Sequence, residues 1–155
     1  MKISIFGIGY VGVVSAACLA KDGHEVIAVD VDQGKIDAIN VGKTPIVEEG
    51  IGELVAEVVA AGNLTATADT QHAILNTDVS FICVGTPSAP DGSVGLKYVE
   101  DVCRNIGDAL RTKDSYHSVV VRSTCVPGST QTHCIPILEQ SSGKKAGVGF
   151  GLGYY

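Results

Sequence analysis

The hexapeptide Gly7-Ile8-Gly9-Tyr10-Val11-Gly12 has the spacing G-x-G-x-x-G and sits between an apolar run and an alanine-rich segment. Residues of these types at this spacing can cradle a pyrophosphate. The first glycine permits a tight turn, the second lets backbone approach a phosphate, and the third lets a helix pack on a strand. A helix starting there offers unpaired N–H groups and the positive end of its dipole to the anion. No Lys follows in the G-K-[ST] form, which excludes a nucleoside triphosphate P-loop. Asp30 stands 18 residues beyond Gly12, at the end of a second apolar run. A carboxylate there accepts from both hydroxyls of an adenosine ribose. It also repels a 2′-phosphate. Asp32 adds to that repulsion, and no Arg stands close behind Asp30 to hold one. The pattern predicts NAD rather than NADP, with a flavin as the competing ligand of the same fingerprint.

These residues need elements to position them. Strands are predicted at Lys2–Phe6, Glu25–Val29, Leu64–Ala68, Val79–Val84 and Ser118–Val121. Helices are predicted at Val11–Lys21, Asp32–Asn40, Ile51–Ala61, Thr70–Asn76 and Lys97–Thr112, and at Gly128–Gln140 with an interruption at Pro136. Ser88–Gly95, rich in Pro, Gly and Ser, reads as a loop. Strands alternating with helices imply β-α-β units. Right-handed crossovers then give a single α/β domain with a doubly wound, mostly parallel sheet of Rossmann type, its ligand at the carboxyl ends of the strands. Val84-Gly85-Thr86-Pro87 and Arg122-Ser123-Thr124 follow two strands, so their hydroxyls are candidates to line the far side of that crevice.

Composition narrows the class. The 155 residues are 45% hydrophobic and 18% charged, which excludes disorder and suits one domain. Net charge is −6, aromatics are 5% and Trp is absent, so nucleic acid is an improbable partner. Nineteen glycines exceed the usual level of roughly 7% and call for a local explanation. Five cysteines, odd in number and without C-x-x-C, argue against a disulfide framework or a zinc site. Reduced structural thiols and a cytoplasmic setting are expected. The uncharged run Ile3–Ala20 could mimic an export signal. Its glycines, the weak Lys2 and the patterned Glu25–Asp30 that follows argue otherwise. No stretch reaches the ~20 apolar residues of a membrane span. His24, His72, His117 and His133 lack carboxylate or cysteine partners at ligand spacing and read as surface or loop residues.

Taken together, several segments resemble the UDP-glucose/GDP-mannose dehydrogenase family. They are Ile3–Gly12, Gly23–Val26, Val29–Val31, Pro45–Glu48, Asp78–Pro87 and Val119–Thr124. The likeness runs from Met1 to about Gly153. It implies NAD contacts at Tyr10 and Val11 through the backbone, and at Asp30, Lys35, Thr86 and Thr124. The family oxidises the 6-hydroxyl of a nucleotide sugar to a carboxylate in two steps, using a cysteine helped by a lysine and a glutamate. The branch of the family that this chain resembles most acts on GDP-mannose, giving GDP-mannuronate for polysaccharides such as alginate. A UDP-glucose branch and a stand-alone dinucleotide module are the alternatives. The family cysteine lies in an F-G-G-x-C context of a second domain, after a central helix, and no cysteine here has that context. The expectation is an NAD-binding domain over residues 1–155 without catalytic residues of its own and without turnover alone. Glu49 also stands where the family segment P-x-x-E-P-G has Pro.

Overall fold

A computed structural model describes residues 1–88 and 92–155; part of the predicted Ser88–Gly95 loop therefore lies outside the described residues. The strands are β1 (Lys2–Phe6), β2 (Glu25–Val29), β3 (Leu64–Thr67), β4 (Val79–Ile82), β5 (His117–Val121) and β6 (Phe150–Tyr154). The helices are α1 (Tyr10–Lys21), α2 (Gln33–Asn40), α3 (Ile51–Ala60), α4 (Thr70–Leu75), α5 (Lys97–Leu110) and α6 (Ile135–Ser142). The sheet runs β3-β2-β1-β4-β5-β6 and every pairing is parallel. It is the doubly wound Rossmann-type order.

Register aligns the strand exits. Phe6 pairs with Val29 on one side and with Ile82 on the other, and Ile82 pairs with Val121. Four chain exits, carrying Gly7, Asp30, Thr86 and Thr124, therefore leave the same edge of the sheet. A parallel sheet is buried on both faces, and the core accordingly has two layers. Ile3, Ile5 and Val26 pack with Val13, Ala17, Ile36 and Val55 on the α1–α3 side. Phe6, Ile82 and Val119 pack with Ile74, Ile106 and Leu138 on the α4–α6 side.

Small residues bring the helices close. The buried face of α1 is Gly12, Val13, Ala16, Ala17 and Ala20. A Cβ on Gly107 of α5 would fall 2.4 Å from Ser141 Oγ and 3.2 Å from Leu138 O, so α6 rests directly on α5. Asp32 caps α2 through the N–H groups of Gly34 and Lys35, and Asp69 caps α4 through that of His72. At its other end α2 turns Asn40 onto β3, where Nδ2 donates to Ala66 O at 2.9 Å and Oδ1 accepts from Ala66 N at 2.8 Å.

Two expectations need correction. The expected helix over Gly128–Gln140 is a π-helical turn, Thr130–Cys134, followed by α6 from Ile135 to Ser142. Pro136 falls in the first turn of α6. Its missing N–H is harmless there, and the wider turn before it absorbs the broken ladder. His117 is not a surface residue: it is 0% exposed. Its Nε2 lies 2.7 Å from Ser80 Oγ, which lies 2.6 Å from Ser4 Oγ. Its Nδ1 lies 3.2 Å from Lys113 Nζ. Nδ1 also lies 3.1 Å from Thr77 O, so the ring is held between Lys113 and that carbonyl on one side and Ser80 on the other. Lys113 also donates to the carbonyls of Ile74 and Thr77, tying off the end of α4. Burial, with Lys113 beside it, lowers the His117 pKa to about 4. Burial likewise holds the Lys113 ammonium below its usual value.

Candidate functional site

The three glycines of the first turn meet three different demands. Gly7 has φ +103°, and a Cβ on it would lie 2.9 Å from Cys83 O at the exit of β4. Its N–H donates to Val29 O at 2.8 Å, joining the exits of β1 and β2. A Cβ on Gly12 would come within 1.8 Å of Gly7 O, so nothing larger fits where α1 crosses the turn. Gly9 differs. Its φ is −90°, which any residue adopts, and a Cβ there would meet nothing within 4 Å. Protein packing does not ask for glycine at this point, and the open space leaves room for close approach of an outside group. Gly9 is also the N-cap of α1, which has no side-chain cap and no acid in its first turn. Of the helices that directly follow the first three strands, α2 and α4 are capped by Asp, and α1 alone leaves its first N–H groups bare for an anion.

Asp30 faces this turn. Its side chain is 10% exposed, and Lys35 Nζ lies 3.6 Å from Oδ2. Oδ2 accepts from Ile8 N at 2.6 Å, and Oδ1 accepts from Asp32 N at 3.0 Å. Each oxygen keeps a lone pair for a further donor. The carboxylate thus anchors the glycine turn and presents oriented acceptors at its rim. Val31, next in the chain, is 97% exposed and sets an apolar face beside them.

Tyr10 and Val11 open α1 and are exposed. The Tyr10 hydroxyl donates to Glu48, tethering the connection between α2 and α3 to the first residue of α1. That bond to a carboxylate raises the Tyr10 pKa. At the β4 exit Thr86 is half-buried; at the β5 exit Thr124 is exposed. Ser123 between them donates to Val84 O at 2.7 Å, fastening one exit to the other. Cys83 beneath them is buried, and burial pushes its thiol up to about 11, which makes it a poor nucleophile. Cys18, Cys83, Cys103, Cys125 and Cys134 are all free.

Beyond the threonines, a cleft of about 630 Å³ opens between the start of α5 and the π-helical turn, lined by Lys97, Glu100, Ser129, Thr132 and His133 among others. There His133 Nδ1 meets Glu100 Oε1 at 2.8 Å, so His133 does have a carboxylate partner. The sequence reading missed this pair, Glu48 and Ile8 N–H because each partner is distant in sequence. Only Glu48 carried a signal, as part of Pro45–Glu48.

The model of the UDP-glucose/GDP-mannose dehydrogenase family, NAD binding domain, matches residues 1–155. The chain belongs to that family. A GDP-mannose 6-dehydrogenase of Azotobacter vinelandii is 57% identical over 152 residues, 98% of this chain and 35% of the relative. A UDP-glucose 6-dehydrogenase of Haloferax volcanii is 42% identical over 152 residues, again 98% of this chain and 35% of the relative. Among solved structures, a ternary complex of GDP-mannose dehydrogenase from Pseudomonas aeruginosa superposes with a TM-score of 0.98 at 56% identity. It covers 99% of this chain and 35% of that one. A UDP-glucose dehydrogenase from Pyrobaculum islandicum gives 0.91 at 38% identity, covering 97% of this chain and 34% of that one. The chain thus spans about a third of the length of the relatives it matches. For this member of the UDP-glucose/GDP-mannose dehydrogenase family, no helix among the described residues is long and apolar enough to cross a membrane.

Proposed function

We propose that this chain binds NAD as the cofactor domain of a sugar-nucleotide 6-dehydrogenase of the GDP-mannose type. The observation that carries the proposal is Gly9, an unconstrained glycine capping a bare helix terminus beside the oriented Asp30 carboxylate. The N–H groups of Tyr10 and Val11 bind the pyrophosphate. Asp30 accepts from the adenosine ribose, Lys35 balances its charge, and Val31 backs the adenine. Thr86 and Thr124 hold the nicotinamide half at the exits of β4 and β5. When bound, NAD supplies the hydride acceptor for oxidation of the sugar.

GDP-mannose is preferred over UDP-glucose because identity is 57% to a GDP-mannose enzyme and 42% to a UDP-glucose enzyme. None of the five cysteines lies in an F-G-G-x-C context, so the thiol chemistry falls to residues outside this chain. The nucleotide sugar is a partner only together with those residues, and the five free thiols suit a cytoplasmic setting.

Titration with NAD and NADP tests the proposal. NAD should bind with at least tenfold preference over NADP, because the 2′-phosphate meets Asp30 and Asp32. Equal affinities, or no binding of either at millimolar concentration, would sink it. The purified chain mixed with GDP-mannose and NAD should form no NADH. Substrate-dependent NADH would show that the chain carries its own catalytic residues.

A further inference from the structure

The three side chains of Arg122-Ser123-Thr124 go three ways. Ser123 fastens the β4 exit at Val84 O, and Thr124 is exposed at the rim. Arg122 turns back under α1. Its backbone N–H donates to Ile82 O at 2.9 Å, fixing where the side chain starts. Its Nη1 donates to Ser15 Oγ, and the Ser15 hydroxyl donates in turn to Val11 O at 2.6 Å. On its other side the guanidinium lies 5.4 Å from the centre of the Tyr155 ring, within cation–π range.

A serine that donates to the carbonyl four residues back bends a helix at that turn. A cation donating to the same hydroxyl polarises it and strengthens the bond it makes. The chain of contacts therefore runs from the exit of β5 to the first turn of α1. We propose that Arg122 is a positioning residue for the dinucleotide. Acting through Ser15, it sets the direction of the first turn of α1, and so the aim of the Tyr10 and Val11 N–H groups at the pyrophosphate. This rests on the NAD-binding reading above, and it assigns work to a side chain that need not touch the ligand.

The test compares NAD, ADP and adenosine in titrations of the wild-type chain, Arg122→Met, Arg122→Lys and Ser15→Ala, with thermal melting beside each. Arg122→Met should weaken NAD and ADP roughly tenfold, the scale of one charged hydrogen bond. Adenosine, which has no phosphate, should bind as before, and Arg122→Lys should recover part of the loss. Ser15→Ala breaks the link while keeping the charge, and it should weaken NAD and ADP about threefold. Should Arg122→Met not fold, Ser15→Ala decides alone. Unchanged ADP binding in Ser15→Ala overturns the proposal, because Arg122 would then act directly on phosphate or not at all. Equal losses for ADP and adenosine overturn it too, since they mark a general loss of fold. A wild-type chain that binds no NAD overturns both this proposal and the one beneath it; normal wild-type binding with unaffected variants overturns this one only.

Discussion

Gly9 and Gly12 sit three residues apart in one motif, yet their substitution should separate folding from binding. Gly9→Ala places a methyl in open space at an ordinary φ. Thermal melting should show stability unchanged or raised by roughly 0.5 kcal/mol, while calorimetric titration shows NAD weakened at least tenfold. Gly12→Ala drives a methyl to 1.8 Å from Gly7 O, and urea unfolding should register a loss of about 3 kcal/mol. Asp30→Ala combines the two effects. It should cost about 1.5–3 kcal/mol of NAD affinity in titration, and about 1–3 kcal/mol of stability because Ile8 N–H loses its acceptor. The place of Asp30 at the end of β2, on which its proposed ribose role rests, was legible in the sequence. Its grip on Ile8 was not, because a bond across 22 residues leaves no local pattern. His117 shows the same blindness more sharply. Of its partners only Lys113 is near in sequence, so the residue looked idle. With a folded pKa of about 4 against an ordinary 6.5, the unfolded chain takes up the proton first as pH falls. Stability should therefore be lost between pH 6.5 and 4, by on the order of 3 kcal/mol from this group. An NMR titration should find the His117 imidazole neutral down to about pH 4; a midpoint near 6.5 would contradict the buried network.

Among the elements, α5 and α6 are held by one absent side chain. Gly107 lies in the buried face of α5, and a Cβ there collides with Ser141 Oγ and closes on Leu138 O. Gly107→Ala should destabilise by about 1–3 kcal/mol in chemical unfolding, although alanine is the better helix former. Gly107→Ala combined with Ser141→Ala should recover part of that loss, because the nearest colliding atom is gone. Element types were readable because apolar runs of four to six residues alternate with helical patterns along the whole chain. Their ends were less so. β4 stops at Ile82 rather than Val84, although Cys83 N–H still donates to Phe6 O at 2.8 Å. The π-helical turn was invisible: Pro136 announces that the ladder breaks, but not that the preceding residues widen to accommodate it.

At the scale of the molecule, function rests on register. Phe6, Val29, Ile82 and Val121 lie in one row across four strands, and each is followed by a segment that carries a proposed ligand contact. Parallel β-α-β winding places those exits together, as the alternation of strands and helices in the sequence implied. What that alternation could not convey was bracing across the exits, by Arg122 to Ser15 and Tyr10 to Glu48, which exists only once the chain is wound. The opposite border of the sheet carries a separate consequence. β3 is a terminal strand, and the N–H and C=O of Ala66 point away from β2. The Asn40 amide occupies both of them, as a neighbouring strand would. A second molecule finds that pair of groups already taken, so the Asn40 amide blunts this edge against strand addition. Asn40→Ala should uncover the pair, and light scattering at rising concentration should then report self-association that the parent chain does not show.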